Sequence, residues 1–100
     1  MDKRRITDEE AISTILSYHN ECGDFNVKIK ETENRGDLFL AVVKFQWKLN
    51  SWIKDVEHME YVVLAPDGSL HVVSGFTLSF TERNTTDGSV KQWLPEKGST

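Results

Sequence analysis

Residues 7–30, TDEEAISTILSYHNECGDFNVKIK, contain the change of period on which the fold depends. Thr7 and Glu10 have the spacing of a capping box, in which the Thr hydroxyl accepts from the amide three residues on and the Glu carboxylate accepts from the Thr amide. Asp8, Glu9 and Glu10 place negative charge at the positive end of a helix dipole. Ala11, Ile12, Ile15, Leu16, His19 and Cys22 then recur at helical spacing, and Gly23 supplies a left-handed stop. The spacing predicts a helix over about residues 8–22. From Phe25 the period becomes two: Phe25, Val27 and Ile29 alternate with Asn26, Lys28 and Lys30.

The rest of the chain keeps the strand period. Asn34-Arg35-Gly36-Asp37 reads as a turn, because Asn and Gly tolerate positive φ. A long strand follows from Leu38 to Leu49, with Phe39, Ala41, Val43, Phe45, Trp47 and Leu49 on one face. Matching apolar positions across the turn predicts Ala41 opposite Ile29, Val43 opposite Val27 and Phe45 opposite Phe25. Residues 50–57 read as a connection with one helical turn over 51–55. A third strand is expected from His58 to Ala65, a turn at Pro66-Asp67-Gly68, and a fourth strand from Ser69 to about Thr81 with a bulge or bend at Gly75. Residues 83–100 read as an edge strand over 89–94 and then a flexible tail from Pro95, leaving an ordered core of about residues 6–82. The expected fold class is α+β, a single domain over 1–100 with one N-terminal helix packed on a four- to five-stranded antiparallel meander.

This order of elements resembles the cystatin-like fold in outline. Gln46-Trp47-Lys48-Leu49-Asn50 does not match the Gln-Val-Val-Ala-Gly type of inhibitor loop, so the resemblance implies an architecture and no site.

Composition limits the function classes. Apolar residues at 38% and charged residues at 28% describe a chain that can bury a core. A net charge of −4 gives no global attraction to phosphate backbones or anionic lipid. No apolar run approaches the ~20 residues needed to span a bilayer. The charged start, Met1-Asp2-Lys3-Arg4-Arg5, lacks the apolar segment of a secretory signal. With the single cysteine, Cys22, this leads to the expectation of a cytoplasmic protein, with Cys22 buried as a small apolar residue.

One helix covers one face of such a sheet. Its stripe of Ile12, Ile15 and Leu16 is expected on Val27, Val43, Phe45, Val72, Phe76 and Leu78. The opposite face then displays Leu38, Leu40, Val42, Tyr61, Val63 and Val73, beside a band of Lys28, Lys30, Lys44 and Lys48. A solvated sheet face is normally polar, so these aliphatics mark a surface that meets something. The C-terminal segment with Val90, Trp93 and Leu94, a second copy of the chain, or another partner are the three occupants to be distinguished.

Catalytic constellations are not visible. The six glycines are scattered as turn residues, without a phosphate loop, and no nucleophile elbow occurs. Arg35-Gly36-Asp37 and Asn84-Thr85-Thr86 match an integrin-binding tripeptide and a glycosylation acceptor, both empty without secretion. None of His19, His58 and His71 reads as a member of a metal pair. His58 and Glu60 point to the same side of a strand and form a carboxylate–histidine unit, read here as two surface residues at a strand entry. Trp52, with Lys48 and Lys54 close in sequence, either closes the bottom of the core or stacks on a partner.

The expected function is a small cytoplasmic, non-enzymatic protein-interaction module of inhibitor, immunity or adaptor type, without cofactor or metal. It would bind through an exposed sheet face or edge formed by Leu38, Leu40, Val42, Lys44, Trp52, Tyr61, Val63 and Val73, with a protein partner or itself as a homodimer. Two alternatives stand beside it. One is a ligand-binding or enzymatic domain with a pocket between the helix and the second strand, near Tyr18, His19 and Trp47. The other is single-strand nucleic-acid binding through the Lys/Trp face, which the acidic net charge disfavours.

Overall fold

The computed structural model describes residues 4–93, with the side chain of Trp93 left out. Helix α1 (Asp8–Glu21) is followed by strands β1 (Phe25–Asn34), β2 (Leu38–Leu49), β3 (Trp52–Leu64), β4 (Leu70–Asn84) and β5 (Val90–Trp93). The strands form one open antiparallel sheet in chain order. The fold is therefore the expected α+β meander, with five strands.

The helix starts and stops as its sequence dictates. The Thr7 amide donates to Glu10 Oε2 at 2.7 Å, and the Glu10 amide donates to Thr7 Oγ1 at 3.2 Å. At the other end Gly23 takes φ +82°, one residue after the Cys22 cap. The helix is tied to the sheet by the segment before it. The Ile6 amide donates to the Gly36 carbonyl, and Asn34 Nδ2 donates both to the Ile6 carbonyl and to Asp8 Oδ1.

Ala11, Ile15 and His19 form the buried stripe of α1. They pack with Ile6 on Phe39, Ala41, Val43 and Phe45 of β2 and Val56 and Val62 of β3. Val27, Ile29, Trp47, Val72 and Phe80 flank this core. Several expected core residues are not there, among them Leu78, Leu49 and Phe25, and three others are instructive. Leu16 is exposed, because it lies on the flank of the stripe one helical step beyond Ile15. Phe76 is exposed because it follows a bulge that breaks the alternation of β4. Cys22, at the cap itself, is exposed rather than buried.

The β1–β2 register also differs from the expected one. Ile29 pairs with Val43 and Phe25 with Gln46, and two irregularities interrupt the ladder, between Phe25 and Lys28 and between Ile29 and Glu31. Asn26, within the first, has φ +52°, a left-handed conformation that Asn tolerates. Each irregularity moves the following residues by one position, which the alternation of apolar residue types does not register.

Residues 50–57 are not a connection. Asn50 and Ser51 make a two-residue turn, with Asn50 at φ +55°, and β3 starts at Trp52 opposite Leu49. Strands β2 and β3 then pair without interruption from Leu49–Trp52 to Leu38–Val63. The bulge expected at Gly75 is present, where the β3–β4 register shifts between His58 and Glu60. A Cβ built on Gly75 would lie 2.9 Å from the Met59 carbonyl oxygen, so the close approach of β3 requires glycine.

Strand β4 runs on to Asn84 and pairs with β5 through Phe80–Trp93 and Arg83–Val90. The segment from Val90 to Trp93 thus extends the sheet at its edge, in place of folding across a face. Leu94 and the tail expected from Pro95 lie outside the described residues.

Candidate functional site

The β2–β3 register assembles the outer face. Leu38 lies opposite Val63, Leu40 opposite Tyr61 and Val42 opposite Met59, while Tyr61 also pairs with Val73 on β4. Directly opposed side chains in an antiparallel pair are neighbours on one face. Six of the eight residues expected to bind, Leu38, Leu40, Val42, Tyr61, Val63 and Val73, therefore form one apolar strip across three strands. Most are half-buried against one another, Val42 is buried, and Val73 is 47% exposed. Helix α1 contacts β1, β3 and β4 from the other face, and among the described residues no further element crosses the strip.

Charge of both signs rims the strip. Glu33 and Glu31 on β1 lie opposite Leu40 and Val42. Exposed Lys44 forms the next row, opposite Glu57 and Lys28. Trp52 is not part of this arrangement. It sits beside the Asn50-Ser51 turn at the far end of the hairpin, half-buried, with Lys91 Nζ 5.1 Å from its ring centroid. One member of the lysine band is neutralised, with Lys30 Nζ 3.0 Å from Glu57 Oε2; on the inner face Lys54 Nζ is 2.6 Å from Glu82 Oε1. Lys54 also lies over the Trp47 ring at 4.8 Å.

The inner face carries a polar cluster that was not expected. His58 and Glu60 lie in mid-strand, because β3 begins six residues earlier than His58. Both face the helix, opposite Val43 and Ala41. Glu60 is fully buried, and so is His19 from the last turn of α1. His19 Nε2 and His58 Nε2 each lie 2.5 Å from Glu60 Oε2. His19 Nδ1 lies 2.7 Å from Asp24 Oδ2. Aromatic rings close the cluster: Phe45 lies 4.4 Å from His19 and 5.0 Å from His58, centroid to centroid, and Tyr18 meets His19 edge-on.

Two opposing effects set the protonation of this cluster. Burial favours the neutral forms, lowering the pKa of His19 and raising that of Glu60. For His19 the hydrogen bonds to Glu60 and Asp24 outweigh burial, and its pKa is raised above the ordinary value. For Glu60 the hydrogen bonds from His19 and His58 outweigh it, and its pKa is lowered. The result is a buried carboxylate held by imidazole donors. Glu60 Oε1, the other carboxylate oxygen, is buried with no hydrogen-bond partner.

Sequence reasoning identified the parts of this cluster but not the whole. His19 was assigned to the buried stripe by position, and His58 and Glu60 to one side of a strand. The missing link was the start of β3. With residues 50–57 read as a connection, His58 became a strand entry and its carboxylate a surface group.

The pocket expected between helix and second strand is filled near His19 and Trp47 by core side chains, with Ile15, Val43 and Phe45 all buried. The groove beside Tyr18 opens instead between α1 and β4, lined by Ser13, Thr14, Ser17, Leu70, His71 and Val72. Among the described residues no helix is long and apolar enough to cross a membrane. No protein-family model, curated protein or solved structure matches this chain.

Proposed function

We propose that this chain is a small non-enzymatic protein-interaction module, of inhibitor, immunity or adaptor type, that binds through the outer face of its sheet, and that the surface it meets is that of a second copy of itself. The observation that carries this reading is the contiguous strip of Leu38, Leu40, Val42, Tyr61, Val63 and Val73 with no described element over it. A solvent-facing sheet surface ordinarily alternates to polar residues, whereas here the aliphatics are opposed pair by pair. A two-fold contact needs a surface compatible with itself. An apolar centre with Glu31 and Glu33 on one rim and Lys28 and Lys44 on another meets that need better than a rim of one sign would. Lys44 belongs to the interface on this reading, and Trp52 to the hairpin end outside it.

The ion pair of Lys30 with Glu57, and the capture of Lys54 beside Trp52 by Glu82, weigh against a Lys/Trp face directed at nucleic acid. An unpaired, exposed Cys22 suits a reducing cytoplasm.

The test is light scattering at micromolar concentration on the wild type and on Leu40→Lys. The expected result is a dimer for the wild type and a folded monomer for the variant. A monomeric wild type, or a dimer that Leu40→Lys leaves intact, would remove self-association through this face.

A further inference from the structure

We propose that His19, His58 and Glu60 form a binding site for a divalent transition metal ion of the zinc class. Three features of the inner face point to it together. First, one donor atom from each of the three residues lies within 4.8 Å of the other two. The donors come from two elements that the core already holds in contact, the last turn of α1 and the middle of β3. Second, the ring of His19 is oriented from behind. Asp24 Oδ2 holds Nδ1 at 2.7 Å, which directs Nε2 at the centre. A carboxylate on the outer nitrogen of a histidine is the usual support of a metal-bound imidazole. Third, Glu60 Oε1 is buried and lacks any partner. A buried polar atom without a partner is rare in a native fold. A cation that the Glu60 carboxylate holds through both oxygens satisfies it.

The donor set defines the class of ion. Two imidazole nitrogens and one carboxylate suit zinc, cobalt, nickel or copper, whereas calcium and magnesium prefer all-oxygen shells. Three protein donors leave a fourth position for water or an exogenous group. His19 Nε2 and His58 Nε2 each contact Glu60 Oε2 at 2.5 Å, and these are the hydrogen bonds that an ion would replace. Donors at ~2.0–2.1 Å from a tetrahedral ion stand about 3.3 Å apart. Binding therefore displaces the protons of these hydrogen bonds to solvent, opens each contact by less than about 1 Å, and draws the widest donor pair, within 4.8 Å, together by up to about 1.5 Å. The third histidine, His71, is exposed on β4, where its Nε2 contacts Ser69 Oγ, and it takes no part.

The test uses the full chain stripped with a chelator and titrated with Zn2+ and with Co2+ as the probes. Calorimetry is expected to show one ion per chain, and Co2+ to develop the visible bands of a low-coordinate nitrogen/oxygen site. In NMR spectra the ring signals of His19 and His58 move, and those of His71 do not. Asp24→Asn, which leaves all three donors in place, is expected to weaken binding about 10- to 100-fold. His58→Ala abolishes one-to-one binding, and His71→Ala leaves it unchanged. His58 is half-buried, so its variant is checked by circular dichroism; the wild-type ring signals decide the matter independently of any variant's folding. Absence of saturable binding, or saturation that leaves the His19 and His58 rings unmoved, would overturn the proposal. So would loss of binding with His71→Ala.

Discussion

The two faces of the sheet use the same alternating pattern to opposite ends. On the inner face, β2 presents Phe39, Ala41, Val43 and Phe45 to a helix that buries them. On the outer face the same strand presents Leu38, Leu40 and Val42 to no described element. The apolar residue types are similar, so hydrophobicity does not separate the faces. What separates them is the polar chemistry beside it. The inner face carries Glu60, His58 and His19, whose close contacts need fixed geometry. The outer face carries Glu31, Glu33 and Lys44 on its rim, where water solvates them. A covered face can hold a polar cluster in place, whereas an uncovered one offers area.

This contrast is broken most strongly at Ile15, the fully buried centre of the helix stripe. Ile15→Asp places a carboxylate in the core and is expected to cost more than about 4 kcal/mol, enough to unfold a domain of this size. Cooperative melting near the wild-type temperature would show that the helix does not cover this face. Next in size is Glu60→Ala. Removing the carboxylate leaves His19 and His58 facing a buried gap, and a loss of about 3–5 kcal/mol is expected in denaturant titration. A loss below about 1 kcal/mol would mean that the cluster is solvated, contrary to the burial of Glu60.

On the outer face the expected change in monomer stability is smaller. Leu40→Lys is half-exposed by position and is expected to alter the unfolding free energy of the monomer by about 1 kcal/mol or less, while removing the dimer. A cost comparable to that of Ile15→Asp would show that something covers this face within one chain. The smallest effects concern the helix that makes the faces unequal. Thr7→Ala removes one half of the capping box and is expected to cost about 1 kcal/mol. The Thr7 amide holds the pKa of Glu10 below its ordinary 4.5, with Arg4 as a further partner. A carboxylate lowered in this way stabilises the fold above about pH 4.5 and loses that contribution as the pH falls through its folded value. Acid titration of helix signals in the wild type and in Glu10→Gln should therefore converge below that range.

Much of this contrast was legible in the sequence, because both faces follow from parity. Once Phe39 was assigned inward, Leu38, Leu40 and Val42 had to point outward, whatever the register of the neighbouring strands. The helix cap was legible for the same reason, since Thr7 and Glu10 interact within one turn. The positions that escaped depend on local breaks in regularity. Asn26 at positive φ shifts the β1 ladder, and Asn50 at positive φ makes a turn so tight that it left no run of loop residues to read. The burial of Glu60 escaped because a carboxylate on a strand is read as exposed until a helix is known to lie above it. Only the contact between α1 and β3, distant in sequence, supplies His19 as its partner.

The most direct test of the outer face is an isotope-filtered NMR experiment on a mixture of methyl-labelled and unlabelled chains. The expected result is intermolecular contacts from the methyl groups of Leu38, Leu40, Val42, Val63 and Val73. Intermolecular contacts from Leu16 on the helix side in their place, or none at all, would contradict the account.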